Sequence, residues 1–279
     1  MHTLSNLFNP IIAKPKNTLQ YVEIPPSNLL KPYIRCFWGS FPPLLPSGKN
    51  EQRSYSTLII PDGCMDIVVD INHISNKLSA AFCGINDAPF HTAVTTKATT
   101  TSTFGIRFYF WAVPLFADTT MRDALNAFID VDNYFYDFRK KLADILLARP
   151  SILDQIAAAE EYLLSCLQTS RPMDPNILNA LYYILKTKGL ISIPALCTKI
   201  IISQRHLERL FTEFIGASPK KISDIVRFQM IWQDMYYSHS RNFCDLAYHY
   251  QFAHQSHFIN SFKKYAGRTP VEALQYAES

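Results

Sequence analysis

The sequence predicts an α+β fold, in which a β-rich N-terminal domain precedes an all-α C-terminal domain with two copies of one helical unit joined by a long helix. Prolines and short runs of β-forming residues dominate the first 110 residues. An amphipathic helical pattern begins near Pro114 and strengthens towards the C-terminus. The stretches SQRHLERLF (203–211) and HQSHFINSF (254–262) look like loose copies, which indicates a repeated structural unit.

Length and composition bound the class of protein. The 279 residues suit one large or two ordinary domains, and 48% hydrophobic residues can form a core. The first residues, MHTLSNLFNP, lack the basic start and apolar run of a secretory signal. The longest uncharged apolar run, Phe108–Ala117, is half a membrane span and contains Pro114. We therefore expect a soluble, cytoplasmic protein without a membrane partner.

The cysteines are too scattered for a C-x-x-C pair, so neither a zinc cluster nor a disulfide framework is indicated. We expect them to be small buried side chains in a reducing compartment. The six are Cys36, Cys64, Cys83, Cys166, Cys197 and Cys244.

Charge is unevenly distributed along the chain. Residues 1–173 contain 15 basic and 15 acidic residues, whereas residues 174–279 contain 12 basic and 8 acidic ones. The whole formal charge of +4 therefore lies in the C-terminal third. A positive balance confined to one segment points to a polyanionic partner.

The N-terminal domain is assigned to residues 1–170, β-rich to about residue 112 and helical over 114–168. The runs LII (58–60) and CMDIVVDI (64–71) flank the turn signal PDG (61–63), which predicts two strands joined by a turn. A threonine-rich stretch leads into a further β-type run, FGIRFYFW (104–111). The prolines that crowd the first fifty residues are Pro25, Pro26, Pro32, Pro42, Pro43 and Pro46.

An amphipathic helix is predicted over Ser151–Gln168. Its apolar stripe can pack on its own domain or pair with a second subunit, so the chain can be a monomer or a homodimer. The stripe comprises Ile152, Ile156, Ala159, Leu163 and Cys166. Two prolines in RPMDP (171–175) cannot both lie inside one helix. We place a linker at 171–175 and the C-terminal domain at 176–279.

The first unit of the C-terminal domain follows a predicted helix over Asn176–Gly189, with Gly189 as its C-cap. A short helix over Ile193–Ile200 has Ser192 as N-cap and Pro194 in its first turn. Ser203 caps the next helix, whose apolar face holds Leu207, Leu210, Phe211 and Phe214, and whose opposite face holds Gln204, Arg205, Glu208 and Arg209. A short helix, a tight turn and a second helix with an exposed polar face form a helix-turn-helix.

The second unit repeats these roles. Leu196 matches Leu246 at an offset of 50, and the positions after the turn match at 51, so the second turn contains one added residue. The latter pairs are Leu207 with Phe258, Phe211 with Phe262, Gly216 with Gly267, and Pro219 with Pro270. A long helix over Pro219–Tyr236 connects the units, with Ile222, Ile225, Val226, Met230 and Trp232 to bury.

Two such units at a fixed distance suit double-stranded DNA, because two recognition helices on one face must lie about one helical turn apart, roughly 34 Å. Arg205 and Arg209 can donate to guanine, whereas the amides of Gln255 and Asn260 suit adenine. Phosphate contact is the role expected of residues at the helix ends, which are Lys220, Lys221, Lys263, Lys264 and Arg268. The remaining candidate DNA-binding residues are Ser203, Gln204, Glu208, His254 and Ser256.

The motifs GASP (216–219) and GRTP (267–270), with LERLF (207–211) and HFINSFKK (257–264), resemble the tandem helix-turn-helix domain of AraC/XylS transcription regulators. The match covers about the last 100 residues. The resemblance implies a sequence-specific bacterial regulator that works with RNA polymerase, and a small cupin-like N-terminal barrel that binds an effector or mediates dimerisation. PDGCMD (61–66) and GIRF (105–108) resemble the N-terminal part of one subgroup.

Three positions depart from the family pattern. Members usually carry glycine in each turn, where this chain has Ile201 and Gln251. A non-glycine residue in a left-handed turn costs about 1 to 2 kcal/mol, so either the turn is reshaped or the domain is less stable. His254 also begins the second recognition helix, where an acidic residue is common.

No cofactor, metal site or catalytic group is indicated in the N-terminal domain. His73 and His91 stand alone, without the H-x-H cluster of a metal-binding cupin. We expect Asp62 to cap backbone amides of the PDG turn, and Asp66 and Asp70 to lie on a solvated strand face. No base is identifiable beside Cys64, so we expect no enzyme activity.

Aromatic density indicates an apolar effector pocket, with Trp38 and Trp111 in its lining and Arg35 or Arg107 holding an anionic group. Core packing is the alternative for each aromatic residue. Two rival functions stay open: a degenerate reader that acts through protein partners, and a DNA-repair fusion with a methyl-accepting cysteine, which would need clustered cysteines.

Overall fold

The computed structural model describes residues 2–15, 21–39, 53–96, 101–149, 151–238 and 242–279. Pro42, Pro43, Pro46 and the middle of the threonine-rich stretch lie outside these residues. A β-rich N-terminal domain precedes an all-helical C-terminal domain, as the sequence predicts. Within the described ranges, no helix combines the length and apolar character needed to cross a bilayer.

The N-terminal domain contains one six-stranded and one two-stranded antiparallel sheet, together with a short N-terminal helix. The larger sheet has the strand order β1-β2-β7-β4-β5-β8, and β3 pairs with β6. The elements are α1 (His2–Leu7), β1 (Val22–Ile24), β2 (Ile34–Gly39), β3 (Arg53–Ile59), β4 (Cys64–Asn72), β5 (Lys77–Cys83), β6 (Phe90–Thr96), β7 (Thr101–Tyr109) and β8 (Phe128–Asp130).

The two faces of the larger sheet differ in chemistry, because side chains alternate along each strand. Phe37, Ile106, Ile67 and Phe82 are paired across four strands and are buried. The neighbouring row, which points to the opposite face, runs Cys36, Arg107, Asp66 and Cys83. One face therefore belongs to the apolar core, and the other carries a charged pair in the centre of the sheet.

The second half of the N-terminal domain is helical over a shorter range than predicted. Turns and β8 occupy most of residues 116–138, where helix was expected over 114–168, and a π-helical turn (Arg139–Ala143) leads into α2 (Asp144–Ala148). The long helix α3 (Ile152–Thr169) forms as predicted. Its stripe residues Ile152, Ile156, Ala159 and Leu163 are buried within this chain, which favours packing on its own domain.

The C-terminal domain contains seven helices in its described residues, in the predicted order. They are α4 (Pro175–Lys186), α5 (Ile193–Ile200), α6 (Gln204–Phe214), α7 (Pro219–Ser238), α8 (Phe243–His249), α9 (Gln255–Ala266) and α10 (Pro270–Glu278). Helix α4 begins one residue earlier than predicted and ends at Lys186, with Gly189 in a left-handed turn three residues beyond. Asp174 caps α4 and Met173 is buried, so the segment before α4 is packed against the protein.

One continuous apolar core joins the two domains. It extends from Leu4 in α1 to Ala277 in α10, and α1 packs against α4. The fully buried side chain of Gln229, in the middle of α7, bonds to the main chain of the N-terminal domain at two places. The connecting helix is therefore held by both domains.

Candidate nucleic-acid interface and polar cluster

The first helix-turn-helix unit forms as the sequence predicts. Ser192 caps α5 by accepting from Ala195 N, and Ser203 caps α6 by accepting from His206 N. Leu207, Leu210 and Phe211 bury one face of α6, since apolar residues spaced three and four apart fall on one side of a helix. The opposite face, which is exposed, consists of Gln204, Arg205, Glu208 and Arg209.

The second unit repeats this geometry with one residue more in its turn. His254 caps α9 by accepting from His257 N through Nδ1, at 3.1 Å. The left-handed residue of the turn is two positions before the cap in the first unit (Ile201) and three positions before it in the second (Gln251). The exposed face of α9 includes Gln255, Ser256 and Asn260. The predicted insertion is confirmed.

Both turns keep a left-handed backbone, which glycine adopts most easily. Ile201 has φ 60° and ψ 45°, and Gln251 has φ 55°. The turns are therefore not reshaped, and the backbone cost of about 1 to 2 kcal/mol per residue stays in the fold. Isoleucine carries the larger share, because its branched Cβ fits the left-handed region least well.

We call residues 204–209 of α6 and 255–260 of α9 the reading ends. Their polar side chains differ in whether they have hydrogen-bond or ion-pair partners within the chain. Arg205 has no hydrogen-bond or ion-pair partner in the part of the chain that the structure describes. Arg209 pairs with Glu213 at 3.0 Å, and Gln204 donates to Glu208 at 2.8 Å. Gln255 accepts from the thiol of Cys244, at 3.3 Å. Arg205 is thus the guanidinium that can bind without first breaking an internal contact.

The docking corners, defined as 213–221 and 267–270, follow the two recognition helices and touch the N-terminal domain. Met121 N donates to the Glu213 carbonyl at 2.9 Å. A Cβ at Gly216 would lie 2.2 Å from the Met121 carbonyl oxygen, and one at Gly267 would touch the ring of Pro89. Both corners therefore rest on the first domain, at the opposite ends of α6 and α9 from their caps.

The N-terminal domain holds a second group of charged residues, the polar cluster, which comprises Tyr21, Glu23, Asp62, Asp66 and Arg107. Arg107 is 7% exposed and binds Asp66 through Nη2 at 2.9 Å and through Nε at 3.1 Å. Its Nη1 lies 3.2 Å from both the Tyr21 hydroxyl and Glu23. Buried charges are stable only when paired in this way.

Two carboxylates of the polar cluster have roles that differ from the sequence expectation. Asp62 does cap its turn, accepting from Cys64 N at 2.9 Å, but it also lies 3.7 Å from Arg107 Nε. Asp66 was expected on a solvated face and is instead 14% exposed and ion-paired, because β4 places it opposite Arg107 of β7. Asp70 is exposed, as expected. Burial raises the pKa of Asp62 to about 6, against the lowering effect of Arg107.

The predicted effector residues are only partly brought together. The ring of Trp38 lies 5.7 Å from the Arg107 guanidinium and 5.7 Å from the ring of Tyr21. Arg35 donates to the Pro10 carbonyl and lies 3.8 Å from Glu23. Trp111 is instead fully buried in the apolar core and donates to the Pro32 carbonyl. Tyr21 and Glu23 were missed by the sequence reasoning, since no motif marks them.

Two family models match parts of this chain, one in each domain. Residues 196–276 match the model described as a helix-turn-helix domain. It is an AraC-type helix-turn-helix domain. Residues 22–130 match a domain of unknown function, DUF6597, and this range includes every residue of the polar cluster except Tyr21. A search of curated proteins finds no significant match.

Solved structures of ToxT from Vibrio cholerae align with this chain along most of its length. An apo form from strain SCE256 is 11% identical, with 86% of this chain and 97% of that chain covered and a TM-score of 0.41. Unsaturated-fatty-acid-bound wild-type ToxT is 10% identical, with 93% and 96% covered and a TM-score of 0.37. ToxT from strain O395 bound to (E)-4-(8-methylnaphthalen-1-yl)but-3-enoic acid is 11% identical, with 92% and 99% covered and a TM-score of 0.42.

The basic residues of the AraC-type domain differ in exposure and in the partners that they already have, and therefore in how readily they could bind phosphate. Lys220 pairs with Asp224 of its own helix and stays largely exposed, and Lys263 is exposed near the end of α9. Lys221 is bound to Asp87 of the N-terminal domain, and this bond holds the pKa of Asp87 below its usual value. Arg268 lies over the ring of Tyr276 at 4.6 Å, and Lys264 lies over Tyr265 at 5.4 Å. A phosphate contact by Lys221 would have to break the Asp87 pair.

The thiols of the strand-rich part of the N-terminal domain offer no support for the methyl-transfer alternative. Burial raises the pKa of both Cys36 and Cys83 to about 12, and it raises the pKa of Cys64 as well. A methyl-accepting cysteine needs an accessible thiolate, which a raised pKa disfavours. In the described ranges, no three His, Cys, Asp or Glu residues are grouped so that they could hold a metal ion. His73 is exposed and lies 2.8 Å from the Ser102 hydroxyl.

Proposed function

We propose that this chain is a sequence-specific DNA-binding transcription regulator of bacterial type, which binds double-stranded DNA through residues 176–279 and is tuned by residues 1–170. The observation that carries the proposal is that the polar side chains of both reading ends are exposed and not covered by the N-terminal domain. A helix-turn-helix places the N-terminal part of its recognition helix in the major groove. Here that part of α6 and of α9 is exposed, while the N-terminal domain touches the opposite ends.

The connecting helix supports simultaneous use of both units. Helix α7 is 20 residues long, which corresponds to about 30 Å, and its apolar side chains are buried between the units. A continuous helix of this length keeps the two recognition helices at one separation. Reading two successive major grooves on one face of DNA requires such a constant separation.

The exposed residues assign different chemistry to the two half-sites. Arg205 and Arg209 present guanidinium donors that suit guanine O6 and N7. Gln255 and Asn260 present amides that suit adenine, with Ser256 beside them. Ser203 and His254 cap the helices, and their free surfaces lie nearest to the DNA backbone in this mode. Lys220 and Lys263 are the exposed cations best placed to bind phosphate.

The N-terminal domain is proposed to sense an effector or to mediate dimerisation, and the bound protein is proposed to act with RNA polymerase. The polar cluster and its neighbour Arg35 contain three carboxylates and two guanidinium groups. Arg107 is therefore already neutralised, so an anionic effector would have to use Arg35. Titrating candidate ligands while monitoring DNA affinity, with Arg35→Ala as the control variant, tests this role.

The central experiment is to sequence the genomic DNA that the intact protein retains and then to measure affinity for that site as salt is varied. We expect one asymmetric site with two unlike half-sites about one helical turn apart. The logarithm of the affinity should fall linearly with the logarithm of salt, by about 0.9 for each phosphate contact. Failure to retain any specific site, with no salt-dependent DNA binding by the intact protein, would favour the degenerate reader that acts through protein partners.

A further inference from the structure

The first turn holds an isoleucine that is both strained and exposed. Ile201 has the left-handed backbone of a glycine position, and 89% of its surface is open to solvent. A branched apolar side chain gains nothing from water, and the strained backbone opposes folding. The residue therefore satisfies neither the local backbone nor the core of this chain.

Ile201 lies close in sequence to the reading end of α6. It stands two residues before Ser203, the cap of the first recognition helix, so the two Cα atoms are within about 7 Å of one another. The cap and first turn of α6 are the part that enters the major groove in the proposed mode. In that mode, a side chain at this place lies beside the groove that α6 enters.

We infer that Ile201 is an additional DNA-contacting residue, which packs its side chain on the apolar groups of DNA beside the first half-site, namely a deoxyribose or a thymine methyl. The inference rests on the proposed function. DNA is the occupant favoured by continuity with the exposed face that carries Arg205. Thymine presents its methyl group in the major groove, where small apolar side chains recognise it.

The second unit supplies a matched comparison inside the same chain. Gln251 occupies the equivalent turn position with the same backbone hand, and it is also exposed, but its side chain is polar. The extra residue of the second turn also moves Gln251 one position further from its cap. Substituting Ile201 and Gln251 separately can therefore distinguish the effect of relieving backbone strain from the effect of losing an apolar contact.

The test uses the full chain and the duplex selected from genomic DNA, with affinity followed by fluorescence anisotropy and stability by thermal unfolding. Ile201→Gly should raise the melting temperature by about 2 °C, because glycine accepts the left-handed backbone. The same change should weaken DNA binding about fivefold to tenfold, as expected for losing roughly 50 Å² of buried apolar contact. Opposite signs for stability and affinity are the signature of this role.

Three variants complete the test. Ile201→Leu keeps an apolar side chain and should hold the affinity within about twofold, whereas Ile201→Asn tolerates the backbone but is polar and should bind as weakly as the glycine variant. Gln251→Gly should raise the melting temperature with little change in affinity. If Ile201→Gly binds DNA as well as the parent, the inference is overturned while the proposed function stands. If the parent itself shows no salt-dependent DNA binding, the proposed function fails first.

Discussion

The two ends of each recognition helix have opposite surroundings. The polar side chains of the reading ends are exposed to solvent, and Arg205 has no internal partner in the described part of the chain. The docking corners are packed on the N-terminal domain through Met121, Pro89 and Asp87. The first domain therefore does not cover the reading ends. In the proposed function, this domain would act on DNA binding through the spacing or orientation of the two units.

The largest effect on stability is expected at Gln229, in the middle of the connecting helix α7. Its side chain accepts from Ile11 N at 2.9 Å and donates to the carbonyls of Ile11 and Pro61 at 3.2 and 2.9 Å. Gln229→Leu would leave these buried main-chain groups unpaired, and we expect the free energy of unfolding to fall by roughly 3 kcal/mol. Urea unfolding of the full chain measures the loss.

A matched control for Gln229 lies one turn along α7. Among the described residues, the buried Nε2 of Gln233 has no hydrogen-bond partner, so Gln233→Leu should change the free energy of unfolding by less than about 1 kcal/mol. Equal losses for the two variants would contradict the view that α7 is held through Gln229. DNA affinity per folded molecule should stay within about twofold for the control.

The next effect is expected at the reading end of α6. Arg205→Ala should cost about 2 kcal/mol of binding free energy on the specific duplex, and should relax the preference at one base pair. Arg209→Ala should cost less, because the Arg209 guanidinium must leave Glu213 before it can bind DNA. Competition binding with specific and random duplexes measures both losses. A loss at Arg205 that is equal on the two DNAs would reassign it to a phosphate.

A smaller effect is expected from the charge state of Asp62. Its pKa is raised in the folded protein, to about 6, so the native state holds a proton that the unfolded chain releases near pH 4. The stability contribution of Asp62 is thus full below about pH 4 and is lost as the pH rises through about 6. We expect a decline on the order of 1 kcal/mol over that window, measured by urea unfolding at each pH. Asp62→Asn should flatten the profile; an unchanged profile would place the titration elsewhere.

The smallest effects are expected from two adjacent lysines. Lys221→Met removes the bond to Asp87 and should lower the free energy of unfolding by less than about 1 kcal/mol, as is usual for partly exposed ion pairs. The Asp87 pKa is lowered, so this contribution is present at neutral pH and is lost as the pH falls below about 4. Lys220→Met should leave stability unchanged and reduce the salt slope of DNA binding by about 1. A stability loss for Lys220→Met together with a lower salt slope for Lys221→Met would show that Lys220 is the structural residue and Lys221 the phosphate contact.

The sequence predicted the C-terminal domain well, because its residues obey local rules. Serines and prolines mark the starts of α5, α6 and α7, and apolar residues recur at helical spacing, so caps, faces and the added residue of the second turn were all readable. The left-handed turns were readable in part. The sequence identified Ile201 and Gln251 as misfits, but only the backbone angles decide that the turn keeps its shape.

The N-terminal domain was predicted less completely, because its interactions join residues far apart in sequence. The alternation in β4 correctly separated Asp66 from Met65 and Ile67, yet it could not reveal that the second face meets Arg107 from β7. Trp111 was likewise placed in a pocket and is in the core. The assignment of Lys221 to phosphate had the same limitation, since its partner Asp87 lies 134 residues away.

In the proposed DNA-binding mode, the extra residue in the second turn makes the protein–DNA complex asymmetric. Two identical units related by symmetry would bind a palindrome equally well in either orientation, as dimeric repressors do. Here the recognition helices follow turns of unequal length and present arginines on one side and amides on the other. In that mode, the protein would fit its site in one orientation only. Reversing the site would therefore turn the whole protein round, and would place the N-terminal domain on the other side of it.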